Sequence, residues 1–257
     1  MAYIEIRKAF QEYKQKGKTV TVLEDVNLDI DRGEFICLLG PSGCGKSTML
    51  NAMAGFEKLK SGTITIDGKI VNGVNPKNVT IFQNYGLLPW RTASQNIQLG
   101  LEKTLKNRAE REEKVEHLLE LVGLNSLGDR YPDQLSGGQQ QRVAIALGLS
   151  IDPDLIFMDE PFGALDAITR MKLQDDILNL SRKEKKTVIF VTHDIEEAVY
   201  LADRIVVMMA NPGKIKSILN VPLGGTRDRT ATSFLYVRNK IFELMNLKTE
   251  YYIEYII

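Results

Sequence analysis

The nine residues at positions 40–48, GPSGCGKST, decide the fold of this chain. They follow the apolar run FICLL at 35–39 and precede a segment at 49–55 with the apolar spacing of a helix. The order of strand, glycine-rich turn and helix is the context that the phosphate-binding pattern G-x-x-x-x-G-K-[ST] requires. A glycine-rich turn with no ligand is the alternative, and the flanking strand and helix disfavour it. The sequence therefore predicts a nucleoside triphosphate site.

Each residue type in this loop suits the binding of phosphate. Glycines let the backbone N–H groups and a helix N-terminus approach the phosphate oxygens closely. Lys46 adds a positive charge for the outer phosphates, Ser47 offers a hydroxyl to Mg2+, and Thr48 offers a further phosphate hydrogen bond. The predicted phosphate loop comprises Gly40, Pro41, Ser42, Gly43, Cys44, Gly45, Lys46, Ser47 and Thr48.

Composition limits the remaining possibilities. The 257 residues include 33 basic and 33 acidic side chains, and this balance argues against nucleic acid as the principal partner. No stretch approaches the 18 or so apolar residues of a membrane-spanning helix, and residues 1–8 lack the apolar core of a signal peptide. Cys44 lies inside the phosphate loop, where a disulfide would distort the site, so we expect a reducing compartment, with Cys37 as a small core residue.

Strand patterns flank the loop on both sides. Alternation at 3–6, 19–22 and 26–30 predicts an antiparallel layer before the first parallel strand. Residues 9–17 are interpreted as a polar loop carrying Phe10 and Tyr13. Either aromatic ring could stack on a nucleotide base, and a place in the core or in a hairpin is an equal alternative for both.

The rest of the chain alternates between sheet and helix. Further strands are predicted at 61–68, 79–82, 154–159, 187–191, 204–209 and 214–219. A charged helical insertion is predicted from about residue 92 to 123, and a helix is expected beyond residue 225. Asp194 and Glu197 have the spacing of a capping box at a helix start.

Acidic and imidazole side chains follow two of the buried strands. Asp159 ends one strand and can hold Mg2+, and Glu160 beside it can polarise an attacking water. His193 follows the next such strand, where an imidazole N–H could reach the terminal phosphate. A lone histidine is usually structural, but this position at the end of a strand favours a role in the site.

A second glycine-led helix identifies the family that the chain resembles. Residues 135–139 read LSGGQ and precede a predicted helix at 139–150, a second candidate anion-binding N-terminus. Together with the phosphate loop, Gln83, Asp159–Glu160, Asp166 and His193 in that order, this motif resembles the ATP-binding cassette (ABC) ATPases over about residues 2–220.

The resemblance implies a role for each matching residue. Glu160 would be the catalytic base, assisted by His193 and by Gln83, while Ser47, Gln83 and Asp159 would bind Mg2+. Asp166 would belong to the D-loop and to the nucleotide-binding residues, and Phe10 rather than Tyr13 would stack on adenine. The signature residues would complete the ATP site of the opposite subunit; they are Ser136, Gly137, Gly138 and Gln139.

The resemblance also implies the architecture. We expect an α/β fold with a RecA-like P-loop NTPase core built on a mostly parallel sheet, an N-terminal antiparallel β layer and an inserted helical subdomain. A single domain would cover residues 1–257, with the β layer and nucleotide-binding core at 1–86 and 152–224, the helical signature subdomain at 87–151, and a C-terminal helix and tail at 225–257.

Two further segments resemble one branch of the family. LLPW at 87–90 and GALDAITR at 163–170 look like the importer ATPases for nitrate, bicarbonate, sulfonates and taurine. The implied protein is a homodimeric, peripheral ATPase at the cytoplasmic face of the membrane, beneath two permease subunits and served indirectly by a solute-binding protein. Trp90 would anchor the contact with the permease, with an ordinary core position as the alternative. The ATPase of a lipoprotein or peptide exporter, or a soluble ABC ATPase, are the competing functions.

Overall fold

The computed structural model describes residues 2–15, 17–82, 85–102, 105–224 and 227–247. The predictions for Gln83 and for the apolar tail at 251–257 lie outside these ranges. The strands are β1 (Ile4–Gln15), β2 (Lys18–Ile30), β3 (Phe35–Leu39), β4 (Ser61–Ile66), β5 (Lys69–Ile70), β6 (Asn78–Ile81), β7 (Leu155–Asp159), β8 (Thr187–Thr192), β9 (Arg204–Met209) and β10 (Lys214–Asn220). The helices are α1 (Lys46–Ala54), α2 (Ala93–Leu101), α3 (Arg108–Leu121), α4 (Gly137–Ser150), α5 (Ala167–Lys183), α6 (Ile195–Leu201) and α7 (Thr232–Leu244), with a short 3-10 turn at Pro132–Gln134.

A six-stranded sheet in the order β10-β9-β3-β8-β7-β6 forms the centre of the molecule. All neighbouring pairs are parallel except β10 with β9. Every residue of β3 and of β8 is buried, because helices or the second sheet cover both faces of these strands. Ile36 and Leu38 face α1 and the antiparallel layer, whereas Phe35, Cys37 and Leu39 face the other helices. The predicted mostly parallel core is confirmed.

The antiparallel layer has four strands in the order β2-β1-β4-β5. Of the alternatives for residues 9–17, the polar loop was wrong and the hairpin is confirmed, because β1 continues to Gln15, which pairs with Lys18 across the hairpin. The outer part of β1 carries mostly polar side chains, so it lacks the apolar alternation that marks a half-buried strand. Phe10 and Tyr13 therefore lie on a strand.

The predicted helical insertion lies between β6 and β7 and contains α2, α3 and α4. Its apolar side chains, such as Ile97, Leu118 and Val143, belong to the same buried cluster as Phe190 of the central sheet. This continuous packing fixes the insertion against the sheet. The exact domain boundaries at 87 and 151 stay a prediction.

After β10 the chain returns to the sheet's helical face. Phe234, Val237 and Ile241 of α7 are 5% exposed or less and pack in the same cluster as Ala198 and Val199 of α6. Within the described ranges, none of the helices has the length and apolar character that a bilayer crossing needs.

Candidate nucleotide site

Strand register brings the predicted site residues to one edge of the central sheet. Leu39, the last residue of β3, pairs with Thr192 of β8, and Val191 pairs with Asp159 of β7. The phosphate loop, His193 and Glu160 each follow one of these strand ends directly. In an open parallel sheet, ligands bind beyond the carboxyl ends of the strands. The sequence-predicted residues that the structure describes on these three strands therefore share one site.

The phosphate loop has a backbone that suits close approach to an anion. α1 begins after Gly45, whose φ of +93° is a left-handed conformation, and within the described part of the chain no side chain caps the first N–H groups of α1. A Cβ on Gly40 would lie 2.7 Å from both the Cys44 sulfur and the Met208 carbonyl oxygen. Uncapped N–H groups at a helix N-terminus are the donors that a phosphate accepts from.

Lys46 folds into this loop. Its Nζ donates hydrogen bonds to the carbonyl oxygens of Gly40 at 2.7 Å and Pro41 at 3.1 Å, and the residue is 5% exposed. The carbonyl oxygens stabilise the buried ammonium. When a nucleotide binds, a charged phosphate oxygen can replace one of these carbonyl oxygens as the acceptor and form a stronger hydrogen bond. The side chain that the sequence assigned to the outer phosphates is thus held at the loop itself.

A hydroxyl and a carboxylate meet beside the loop. Ser47 Oγ donates to Asp159 Oδ1 at 3.1 Å. Burial raises the pKa of Asp159 above its ordinary value, and the hydrogen bond from Ser47 acts in the opposite direction. Two hard oxygen ligands, supplied by α1 and β7, fit Mg2+, which commonly takes one or two protein oxygens and completes its shell with water and phosphate.

Glu160 and His193 contact each other. The Nδ1 atom of His193 lies 3.1 Å from Glu160 Oε1, so Nε2 is the ring nitrogen left for a second partner. Glu160 has a φ of +48°, which is uncommon for a residue with a side chain. Its N–H donates to the Val191 carbonyl oxygen at 3.0 Å, and this bond holds the turn after β7 in place. The carboxylate is thereby directed to the edge where the phosphate loop lies.

Gln141 is a site neighbour that the sequence analysis missed. It is 1% exposed, its Nε2 donates to the Glu160 carbonyl oxygen at 3.3 Å, and its Oε1 accepts from the Ala164 N–H at 3.2 Å. The side chain thus joins α4 to the backbone on both sides of the turn after β7. In the sequence it is one of a run of Gln139, Gln140 and Gln141, and nothing in the sequence distinguishes it.

The signature motif forms the second helix start. Ser136 Oγ accepts from the Gln139 N–H at 3.3 Å, and Gln139 Oε1 accepts from the Ser136 N–H at 2.8 Å, so the two residues form a complete capping box. Ser136 and Gly137 are exposed to solvent. A Cβ on Gly138 would lie 2.9 Å from the Ala164 carbonyl oxygen, so α4 packs closely on the 163–166 loop.

Asp166 and the two candidate aromatics lie at the margins of the site. Asp166 caps α5 by accepting from the Thr169 N–H at 3.0 Å, and this bond lowers the pKa of its exposed carboxyl. Tyr13 donates a hydrogen bond to Glu57. The pKa of Tyr13 is raised, mainly by burial, and a hydrogen bond with Thr48 of the phosphate loop offsets part of that rise. Phe10 is half-buried on β1, and its choice as the adenine-stacking residue stays a prediction.

The predicted capping box at α6 was half wrong. Asp194 does cap the helix, accepting from the N–H groups of Glu196 at 2.8 Å and Glu197 at 3.2 Å. The Glu197 side chain instead turns inward and accepts from Thr192 Oγ1 at 2.8 Å. The Asp194 N–H, which Glu197 would accept from in a capping box, donates instead to Thr192 Oγ1 at 3.0 Å, so this N–H has a partner without the return contact.

Taken together, the parallel sheet, the uncapped glycine-led helix and the oxygen ligands at one edge define a P-loop nucleotide-binding protein.

The family model described as "ABC transporter" matches residues 23–163. A nitrate import ATP-binding protein of Synechococcus elongatus is 48% identical over 88% of this chain and 86% of that protein. An aliphatic sulfonates import ATP-binding protein of Bacillus cereus is 44% identical over 90% of this chain and 91% of that protein.

A solved structure agrees with these relatives. The ATP-binding cassette MJ0796, a dimer in a post-hydrolysis state bound to ADP and Pi, superimposes with a TM-score of 0.79 at 32% identity, covering 86% of this chain and all of that one. The chain belongs to the ABC transporter family. The predicted fold and the predicted class, an ATP-hydrolysing cassette, are confirmed.

Proposed function

We propose that this chain hydrolyses ATP to drive the import of a small anionic solute of the nitrate, bicarbonate, sulfonate or taurine type. The observation that carries the hydrolytic part is the register of β3, β8 and β7, which brings Lys46, His193 and Glu160 to one edge. The names of the relatives carry the importer part: the two relatives named above are import ATP-binding proteins for nitrate and for aliphatic sulfonates. An exporter ATPase and a soluble ABC ATPase remain the alternatives that experiment must exclude.

In the proposed reaction, the phosphate loop and Lys46 bind the phosphate chain, with the uncapped N–H groups of α1 as donors. Glu160 accepts a proton from the attacking water, and its contact with His193 orients the carboxylate. His193 then has Nε2 for the terminal phosphate. Ser47 and Asp159, with Gln83 as a further candidate, would hold Mg2+, which neutralises charge on the phosphates when it is bound.

We propose a homodimer as the working form. The N-terminus of α4 is exposed and carries Ser136 at its tip, so it can face a second copy of the chain without any rearrangement of the core. A twofold dimer would then contain two equivalent sites, each with Lys46 from one chain and Ser136 from the other. The solved cassette that this chain resembles is itself a dimer.

The surface around Trp90 is the proposed contact with a membrane subunit. Trp90 is 71% exposed, so the alternative of an ordinary core residue is not supported. Asn96, which is fully buried, holds the Trp90 turn by accepting from the Leu88 N–H at 2.8 Å and donating to the Leu88 and Arg91 carbonyl oxygens. An exposed aromatic on a rigid turn is a typical interface anchor.

Two further exposed aromatics contact each other, and one of them, Phe82, directly precedes Gln83 in the sequence. Phe56 at the end of α1 is 50% exposed and Phe82 after β6 is 39% exposed, and their rings contact each other edge to face at 5.2 Å. We propose that these residues and Trp90 dock a short helix of one of two permease subunits. The chain would then be peripheral, at the cytoplasmic face of the membrane, with a solute-binding protein on the far side as an indirect partner.

The substitution Glu160→Gln tests the hydrolytic assignment. The amide keeps the shape and hydrogen bonding of the side chain but cannot act as a base, so ATP binding should persist while hydrolysis falls at least about 100-fold. The expected signature is an ATP-stabilised dimer in size-exclusion chromatography. A variant that hydrolyses ATP at the wild-type rate contradicts the assignment, and a monomer at saturating ATP contradicts the dimer.

Transport measurements test the importer assignment. The tagged chain should copurify with membrane subunits and a solute-binding protein, and Trp90→Ala should lower solute uptake while the isolated chain keeps its basal ATPase activity. Copurification with an exporter's membrane subunit, without any solute-binding protein, would support the alternative. Leu99→Ala, at an exposed apolar side chain on α2, serves as the matched control.

A further inference from the structure

A buried polar cluster lies between α5, α6 and the segment that follows the last strand. Gln174 of α5 is 2% exposed and Glu197 of α6 is 8% exposed. Polar side chains at this depth are stable only when other groups satisfy their hydrogen bonds. The mechanism above uses neither residue.

The cluster forms an unbroken hydrogen-bond relay, from Arg229 through Gln174 and Glu197 to Thr192, that ends beside His193. Thr192 Oγ1 donates to Glu197 Oε2 at 2.8 Å, and Gln174 Nε2 donates to Glu197 Oε1 at 3.3 Å. Arg229 Nη2, from the segment before α7, donates to Gln174 Oε1 at 2.6 Å. Thr192 is the last residue of β8 and immediately precedes His193. The relay therefore connects the C-terminal segment to the end of β8, which His193 follows directly.

Arg229 is itself held in place. Its guanidinium stacks on the Tyr200 ring at 3.6 Å, and the Tyr200 hydroxyl donates to Asp175. Two residues earlier, the Arg227 side chain has no exposed surface and donates to the carbonyl oxygens of Val199 at 2.8 Å and Ala202 at 2.7 Å. These bonds attach the segment to the end of α6, so Arg229 meets Gln174 at a fixed distance.

Glu197 also reaches toward the loop before α5. Arg170 Nε lies 3.8 Å from Glu197 Oε1, and Arg170 Nη2 donates to the Leu165 carbonyl oxygen at 3.0 Å. Leu165 belongs to the 163–166 loop, on which the signature helix packs. One buried carboxylate thus contacts the strand before His193 directly and the 163–166 loop through a single side chain.

We propose that Arg229, Gln174 and Glu197 are positioning residues that hold Thr192, and through it His193, in the orientation that hydrolysis requires. The inference rests on the proposed role of His193. It assigns a function to the C-terminal segment at 227–247: this segment sets the turnover of a site whose described residues it does not contact. Because the relay ends at the histidine and not at the phosphate loop, it acts on kcat and leaves ATP binding unchanged.

A swap of two side chains tests the relay. Gln174→Glu places a second carboxylate against Glu197, and we expect kcat to fall about tenfold with the KM for ATP within about twofold of wild type. In the double variant Gln174→Glu with Glu197→Gln, the amide introduced at 197 donates to the carboxylate introduced at 174, while Thr192 and Arg229 keep an acceptor each. We expect kcat to return to within about threefold of wild type.

The outcomes separate the relay from a merely structural role. Wild-type kcat in Gln174→Glu, or no recovery in the double variant, overturns the relay. A loss of kcat that comes with a raised KM and a lowered Tm indicates general destabilisation and also overturns it. If the wild-type chain itself hydrolyses no ATP, the proposed function fails, which is a different result from a hydrolysing wild type whose variants show no rescue.

A second pair of variants covers the case in which Gln174→Glu does not fold. Arg229→Met removes the last donor of the relay, and kcat should fall about fivefold. Arg238→Met is the matched control, because Arg238, like Arg229, joins the C-terminal segment to α6, through Glu196 at 3.3 Å, but has no contact with a relay residue in the described part of the chain. Equal kcat values in these two variants would overturn the proposal.

Discussion

The two glycine-led helices of this chain begin in opposite ways. α1 starts from Gly45, which offers no side-chain cap, and its first residue, Lys46, is 5% exposed. α4 starts from Ser136, which is exposed and forms a complete capping box with Gln139. The first helix start needs an external acceptor that enters a site made by its own chain. The second is already satisfied and faces outward, so it can act on a phosphate only where another molecule presents one.

Lys46→Ala would break the first half of this comparison. The substitution removes the side-chain cation of the phosphate loop, and we expect ATP affinity to fall about 100-fold or more, with loss of hydrolysis. Titration with a fluorescent ATP analogue measures the change. Lys69→Ala, on the exposed strand β5, is the control and should bind as wild type does. Wild-type affinity in Lys46→Ala contradicts the site.

Linked dimers test whether the second helix start serves the partner's ATP. With Lys46→Ala in one half and Ser136→Arg in the other, both defects fall in one composite site, and one ATP per dimer should be occluded. With both substitutions in the same half, each composite site carries one defect, and no ATP should be occluded.

Occluded nucleotide after rapid gel filtration is the measurement. If Ser136 acted on the nucleotide of its own chain, the two results would be exchanged. Equal occlusion in both arrangements would show that Ser136 contacts no phosphate, and the proposed dimer geometry would be wrong.

Ser136→Ala sharpens the comparison through stability. Because the capping box satisfies the start of α4 within one chain, its loss should lower the free energy of unfolding of the nucleotide-free protein by about 1 kcal/mol. Urea unfolding followed by circular dichroism measures this value. Ser126→Ala, at an exposed turn position, should change it by less than about 0.5 kcal/mol. No difference between the two variants would mean that the cap contributes nothing.

Asp159→Asn gives the smallest effect, and the effect depends on pH. Burial raises the pKa of Asp159, so the ionised carboxylate costs stability at neutral pH, and the neutral amide should raise Tm by about 1 °C. As the pH falls, the folded protein takes up this proton before the unfolded chain does. The advantage of the amide should therefore shrink as the pH falls through the raised pKa, and it should vanish below the unfolded value near 4. Thermal scans from pH 4 to 7 check the sign; an advantage that grows on acidification contradicts it.

The sequence predicted which residues the structure brings to one edge of the sheet, because these residues lie at or just after strand ends. Lys46, Asp159 and His193 each follow an apolar run, and parallel strands place their carboxyl ends together, so local patterns determined a global arrangement. The inference did not require the full strand order, because any parallel arrangement in which these strands are neighbours places their carboxyl ends at the same edge of the sheet.

The sequence failed where contacts depend on packing between distant segments. The outer part of β1 was interpreted as a loop, because its polar residues show no apolar alternation, whereas the paired segment at 19–22 was predicted as a strand. Gln141 and Gln174 looked like ordinary helical glutamines, since their partners lie 19 to 55 residues away. The inward turn of Glu197 depends on a threonine hydroxyl whose burial becomes apparent only when β8 is placed inside the sheet.

The backbone conformation of Glu160 sets stability against catalysis at this position. Its φ of +48° is one that glycine adopts freely and that an L-residue with a side chain adopts at a cost of about 1 kcal/mol. Substitution by glycine would relieve that cost and leave the phosphate loop untouched. A library sorted only for heat resistance would thus enrich glycine at position 160. The selected variants would bind ATP but would not hydrolyse it.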